Sequence, residues 1–162
     1  MPKAKKAPKL YLKALKLDKN RHLISAHGGN QVWRLKPDCQ TGRKTVTIPP
    51  GERSPELCQE GILHGLRLRD LPYWAHTHLA VVETFTDPVL ADESKVGMYD
   101  QRIIRVSTVD GLDVLVRFAE LSAEIAKEIS GSSTVTTEEI QARQIAFFLS
   151  AYGEDFFEGV ER

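Results

Sequence analysis

The spacing of the apolar residues changes once along this chain, near residue 108, and that switch constrains the fold more than any other feature. Before it, apolar residues come in short β-branched and aromatic runs separated by turn residues. Thr77–Thr86 (THLAVVETFT) is the clearest run, and Asp87-Pro88 stops it. Lys44–Ile48 (KTVTI) and Gln101–Ser107 are of the same kind. Branched and aromatic side chains suit a pleated surface, so these segments are predicted strands. Leu10–Leu17 fits either a strand or a short helix, and the turn residues Asp18-Lys19-Asn20 favour the strand. His22–Ser25, Gln31–Lys36 and Ile62–Leu68 are shorter candidates, with Gly28-Gly29-Asn30 as a turn, residues 49–61 as a long polar loop, and a further loop with Asp92, Glu93 and Gly97 leading to Gln101. Arg69–Ala75 reads as a helical turn with Asp70 as its cap.

Beyond the switch the period is helical. Leu115, Phe118, Leu121, Ile125 and Ile129 recur every three or four residues and make one apolar face. Asp110 can cap this helix, expected over about 111–129, and Gly131-Ser132-Ser133 breaks it. Thr136 and Glu139 form a capping box for a second helix over about 137–152, whose apolar residues include Ile140, Ile145, Phe147, Phe148 and Leu149. Strands first and helices last predict an α+β fold: a mainly antiparallel sheet of about 5–7 short strands over residues 10–107, then a two-helix C-terminal segment. Residues 1–8 are expected to be a basic, flexible tail on a single globular domain spanning 9–162.

At 162 residues with 41% hydrophobic side chains, the chain suffices for one domain with a core, which excludes wholesale disorder. No apolar run approaches the roughly 20 residues of a membrane span. Lysines interrupt the first apolar stretch, so no secretory signal is visible. With only two cysteines, Cys39 and Cys58 are expected to be free thiols in a reducing compartment, the cytoplasm.

Charge is unevenly distributed. Residues 1–21 carry a net +7, residues 22–108 balance, and residues 109–162 carry −7. Such asymmetry points to a basic arm seeking a polyanion or an acidic protein surface, or to a plain solubilising tail. Lys3, Lys5, Lys6, Lys9 and Lys13 would form the grip, with Trp33 and Arg34 as a stacking pair for a nucleic-acid base, although a core position is the simpler reading of Trp33. Self-association between the basic N-terminus and the acidic C-terminal third is a further option.

Reactive constellations are sparse. His76 and His78 flank Thr77 and would share one face of a strand, with His64, His27, Cys58 or Asp70 as further metal ligands. No compact metal signature accompanies them, so surface or half-buried histidines are the simpler reading. Cys58 precedes His64 by six residues in a glycine-containing segment, a spacing that permits a thiolate–imidazole pair, although a tight bend at Gly61 and Gly65 with Cys58 filling a small apolar space beside Leu57 is the simpler reading. An enzyme built there would use His64 as general base and Glu83 to stabilise charge, with Cys58, His76 and Arg67 around them. A nucleotide-dependent transferase or a small hydrolase would be the classes to assay. Gly28-Gly29 is too short for a phosphate loop, and nothing in the sequence calls for a cofactor.

One further pattern is the order Tyr11-Leu-Lys-Ala14, Gly28-Gly-Asn-Gln-Val-Trp33, Leu57-Cys58-Gln-Glu-Gly61-Ile-Leu-His64, Ala80-Val-Val-Glu83, Lys95-Val-Gly97 and Val114-Leu-Val-Arg117-Phe-Ala119. It resembles a family of uncharacterised small proteins of phages and bacteria that share a segment of cysteine, two spacers, glycine and then histidine. The resemblance covers about residues 10–129. An arginine often stands in that family at the position of His78, which argues against a shared His76/His78 metal site. The resemblance implies an accessory protein of phage or mobile-element origin in a bacterial host cell, and it implies no reaction. The expected function is therefore a non-enzymatic interaction protein that binds a host protein or nucleic acid through its basic arm or apolar helical face. The enzyme around His64 is the alternative.

Overall fold

The computed structural model describes residues 2, 4, 6–27, 33–87, 89–131 and 134–162. Eight strands occur among them: β1 (Lys9–Leu17), β2 (Leu23–Ser25), β3 (Thr45–Thr47), β4 (Leu63–Gly65), β5 (His78–Thr84), β6 (Leu90–Ala91), β7 (Val96–Met98) and β8 (Asp100–Val106). A short helix α1 (Leu71–Trp74) precedes β5, and α2 (Gly111–Ser130) and α3 (Thr137–Tyr152) follow β8. The fold is α+β, with the helical pair at the C-terminal end as the change of period predicts.

All strand pairings are antiparallel. The main sheet has the order β2-β1-β5-β8-β3, and a second, smaller sheet has the order β4-β7-β6. Leu12 links the two, since its amide and carbonyl both bond Leu66, at 2.7 and 2.8 Å.

The long strands are apolar on both sides because both faces of the main sheet are covered. On one face Leu12, Ala14, Leu79 and Val81 pack with Val114, Phe148, Tyr152 and Phe157 from the helical end. On the other, Tyr11, Leu15, Ala80, Val82 and Ile103 pack with Leu63, Val96 and Met98 of the small sheet and with Trp33 and Leu35. This two-sided burial explains the unbroken run Leu79-Ala80-Val81-Val82. Each large side chain fully buried here contributes about 1.5–3 kcal/mol.

The helix ends follow their local chemistry. The Asp110 carboxylate accepts from the amides of Leu112 and Asp113, and the Thr136 hydroxyl accepts from Glu139 N at 3.1 Å. Gly111 starts α2 directly against β5, where a Cβ would lie 2.0 Å from the Thr77 carbonyl oxygen. Only glycine permits that approach. The last residues return to the first strand: Glu161 N donates to Leu10 O, and Leu68 N donates to Glu161 O. The acidic end thus folds back onto the base of the basic segment through backbone bonds. Among the described residues no ion pair joins residues 1–21 to residues 109–162.

Three expectations are corrected. The strand expected at Gln31–Lys36 does not form over its described part: Trp33 and Arg34 lie outside any strand, and Leu35 makes a single bridge to Leu23. Trp33 and Leu35 instead plug the inter-sheet core. The segment from Asp92 to Gly97 is not a plain loop, because it joins β6 to β7 in a hairpin of the second sheet. Asp70 does not cap α1 with its side chain. It accepts from Arg67 N at 2.9 Å and closes the single turn before α1. The predicted turn Gly28-Gly29-Asn30 lies outside the described residues.

Candidate functional site

A pair of buried polar side chains lies where β1 passes beneath β4. Lys13 points from β1 into the inter-sheet core, and its ammonium donates to the His64 carbonyl at 2.9 Å. Gln101 of β8, also buried, donates its amide to the same oxygen at 2.7 Å. Two buried donors thus converge on one backbone acceptor. Burial lowers the Lys13 pKa to about 8, because the apolar surroundings disfavour the charged form.

The His64 ring faces outward from this core. Its Nε2 accepts the backbone N–H of Cys58 at 3.0 Å. Burial, followed by the positive charges of Lys13 and Lys95, pushes its pKa down to about 4. Cys58 itself is exposed and has a left-handed backbone, φ 64°. The His64 ring pins that unusual turn. Lys95 lies beside the Cys58 thiol, 3.4 Å from the Asp92 carboxylate and 5.1 Å from the centre of the Trp74 ring. Hydrogen bonding to Cys58, and secondarily the Asp92 charge, holds the Lys95 pKa above the ordinary lysine value against partial burial.

The thiolate–imidazole pair that the spacing permits does not form: the His64 ring accepts from the backbone amide of Cys58, not from its thiol. The Nε2 that would take a thiol proton already accepts another hydrogen, and the neutral ring resists protonation. The cationic neighbour of the thiol is Lys95. The sequence does not tie this lysine to Cys58, because 37 residues separate them and only the β4–β7 pairing of His64 with Gly97 unites them.

The other expected members of an active site do not join His64. Glu83 shares the face of β5 that carries Leu79 and Val81, opposite Lys13, and lies 3.6 Å from Arg102. Arg67 grips the buried Asp70 through Nε at 2.7 Å and Nη2 at 3.1 Å, a structural clamp. His76 packs edge-on to His27, with ring centroids 5.5 Å apart. The strand begins only at His78, so His76 and His78 do not share a strand face; both rings lean on the Thr77 hydroxyl. Among the described residues no three metal-ligating side chains gather at one point.

The basic grip is also reduced. Lys13 and Trp33 are buried, so neither reaches a nucleic acid. Their burial follows from facing the second sheet, a layer that the spacing of residues 60–98 does not announce. Lys6 pairs with Asp87 at 2.6 Å at the surface. Lys9 opens β1 and is exposed, and Arg34 is exposed outside any strand. Lys3 and Lys5 lie outside the described residues. Because the Lys6–Asp87 pair is solvent-exposed and easily screened, Lys6→Ala is expected to leave the thermal midpoint unchanged by calorimetry.

A different feature emerges on α2. The apolar face read from Leu115, Phe118, Leu121, Ile125 and Ile129 is largely turned inward: Ile125 is buried and Phe118 packs on Phe147 and Phe148, while Ile129 stays 52% exposed. The opposite side of the helix carries a second row, Leu112, Val116, Ala119, Ala123 and Ala126, spaced alternately by four and three residues. All five are exposed, Leu112 at 62% and Val116 at 54%. Its spacing is that of the a and d positions along a helix-packing seam. The row is inconspicuous in the sequence because three of its members are alanines, which count weakly as apolar.

No family model, curated protein or solved structure matches the chain. Among the described residues no helix is long and apolar enough to cross a membrane.

Proposed function

We propose that this is a non-enzymatic interaction protein whose contact surface is the outer row of α2. The observation that carries this reading is the exposure of Leu112 and Val116 on a helix whose other side already fills the core. A helix that has satisfied its packing on one side gains nothing in the isolated fold from a second apolar row, so the row suits a partner. The basic segment is the weaker contact surface, since Lys13 and Trp33 are buried and Lys6 is paired. An accessory protein of phage or mobile-element origin, acting in a bacterial cell, fits the resemblance noted from residues 10–129.

The test compares the wild-type chain with Leu112→Ser/Val116→Ser. Both sites are exposed, so the double variant is expected to keep its thermal midpoint and lose every protein retained by tagged wild type, including untagged copies of the chain itself. Retention unaffected by the double substitution but abolished by nuclease or raised salt would transfer the function to the basic segment and overturn this reading.

A further inference from the structure

Resting on that reading, we propose that the partner of the α2 row is a second copy of this chain, docked antiparallel to form a two-fold dimer. The row is graded in size: Leu112 and Val116 fill its N-terminal half, and Ala123 and Ala126 its C-terminal half. Packed parallel, two copies would set leucine against leucine and leave alanine facing alanine across a gap. Packed antiparallel, Val116 meets Ala126, Ala119 meets Ala123, and Leu112 meets Ser130. The larger side chains then lie against small ones in the four outer layers and alanine meets alanine in the two central ones, which spreads the bulk over both ends of the contact along about 30 Å.

The flanks of the row agree with this register. On one side lie Asp113, Glu120 and Lys127. Antiparallel docking brings Asp113 of each copy to Lys127 of the other, two opposite-charge pairs related by the axis. Asp113 also pairs with Arg117 of its own helix at 3.1 Å. On the other side lie Leu115, Ser122 and the 52% exposed Ile129. The same register sets Leu115 against Ile129, covering an apolar side chain that the single chain leaves in water. Glu120 meets its own copy at the axis and is the one unfavourable pair. A contact limited to one helix per copy falls at the small end of specific interfaces, so the dimer is expected to dissociate on dilution.

Sedimentation velocity on the full-length chain across the micromolar range tests the proposal. The wild type should pass from one chain mass to two with rising concentration. Val116→Glu should remain a single chain with its thermal midpoint retained. Lys127→Asp should weaken association about tenfold by opposing two like-charge pairs, and Asp113→Lys/Lys127→Asp should recover it. Glu120→Gln should tighten it. A wild-type chain that stays single at every concentration would overturn the second-copy proposal, and a different protein retained by wild type but not by Leu112→Ser/Val116→Ser would then leave the interaction reading standing. A dimer indifferent to Val116→Glu, or a double charge swap that fails to recover association, would equally overturn the proposed seam.

Discussion

Replacing Lys13 with methionine is expected to stabilise the protein by about 2–3 kcal/mol at pH 7 and to remove a rise in stability between pH 8 and 10.5. Lys13 sits on β1 between Tyr11 and Leu15, faces the second sheet, and has 7% of its surface exposed. Its ammonium bonds a neutral carbonyl, and no carboxylate pairs with it among the described residues. Burial drops its pKa from 10.5 to about 8. Between those values the unfolded chain holds the proton more tightly than the folded one, so stability climbs as the pH rises. Below about pH 8 both states are protonated, and the fold bears the full cost of the buried charge, about 3 kcal/mol. Methionine has a similar length and no charge. The lost hydrogen bond offsets part of the gain, though the His64 carbonyl keeps its bond from Gln101 at 2.7 Å. Denaturant titrations at pH 7 and pH 10 measure both effects. A less stable methionine variant at pH 7 would show that the ammonium does more for the inter-sheet core than its one bond to His64.

The same substitution changes the acid side. With the folded pKa of His64 lowered from 6.5 to about 4, its neutral ring contributes stability that is fully present above pH 6.5 and is lost as the pH falls toward 4. The Lys13 charge is the second cause of that lowering, after burial. Lys13→Met therefore raises the His64 pKa and makes the acid loss shallower. Chemical-shift titration of the His64 ring in both variants reads this directly.

Lys13 also shows where the sequence misleads. The alternation of Lys9 and Lys13 with Leu10, Leu12 and Ala14 marks the lysine side of β1 as the water side. Tyr11 and Leu15 occupy that same side, however, and two such residues flanking a lysine are the sign of a covered face. The covering layer was illegible because β6 and β7 span only two and three residues, too short to reveal a period. Gly97 hides it further, since a Cβ there would lie 2.5 Å from Ile62 and Leu57, so the residue is small for packing reasons that only the assembled sheet displays. Trp33 was equally ambiguous, because a tryptophan beside an arginine has the same sequence in a base-stacking pair and in a core. Glu83 and His64 both lie within predicted strands, but the parity of β5 turns Glu83 to the face of the main sheet opposite the one covered by the second sheet, which carries His64. By contrast, β1, β3, β5, β8 and both long helices were legible, because each is long or branched enough to set its own period and is bounded by turn or cap residues such as Asp18, Asp110 and Thr136.

The helical end offers the other large effect. Phe148→Ala is expected to cost about 3–5 kcal/mol, and Phe118→Ala distinctly less. Both rings belong to one aromatic cluster, with centroids 4.7 Å apart, and Phe147 and Tyr152 lie 5.3 and 6.4 Å from Phe148. Phe148 is wholly buried, whereas Phe118 is only half-buried beneath the α2–α3 contact. Truncating Phe148 opens a void bounded by main-sheet residues on one side and by both helices on the other, and fixed sheet backbone limits how far it collapses. Truncating Phe118 leaves space that Phe147 can fill by rotating from the edge, where it lies 5.6 Å away. Because α2 rests on the sheet partly through this cluster, loss of Phe148 should also loosen the helix that carries Leu112 and Val116. Hydrogen exchange along α2 should accelerate in Phe148→Ala more than in Phe118→Ala, alongside the ranked loss in denaturation midpoint. Equal effects of the two substitutions would mean that the helices hold to each other more firmly than either holds to the sheet.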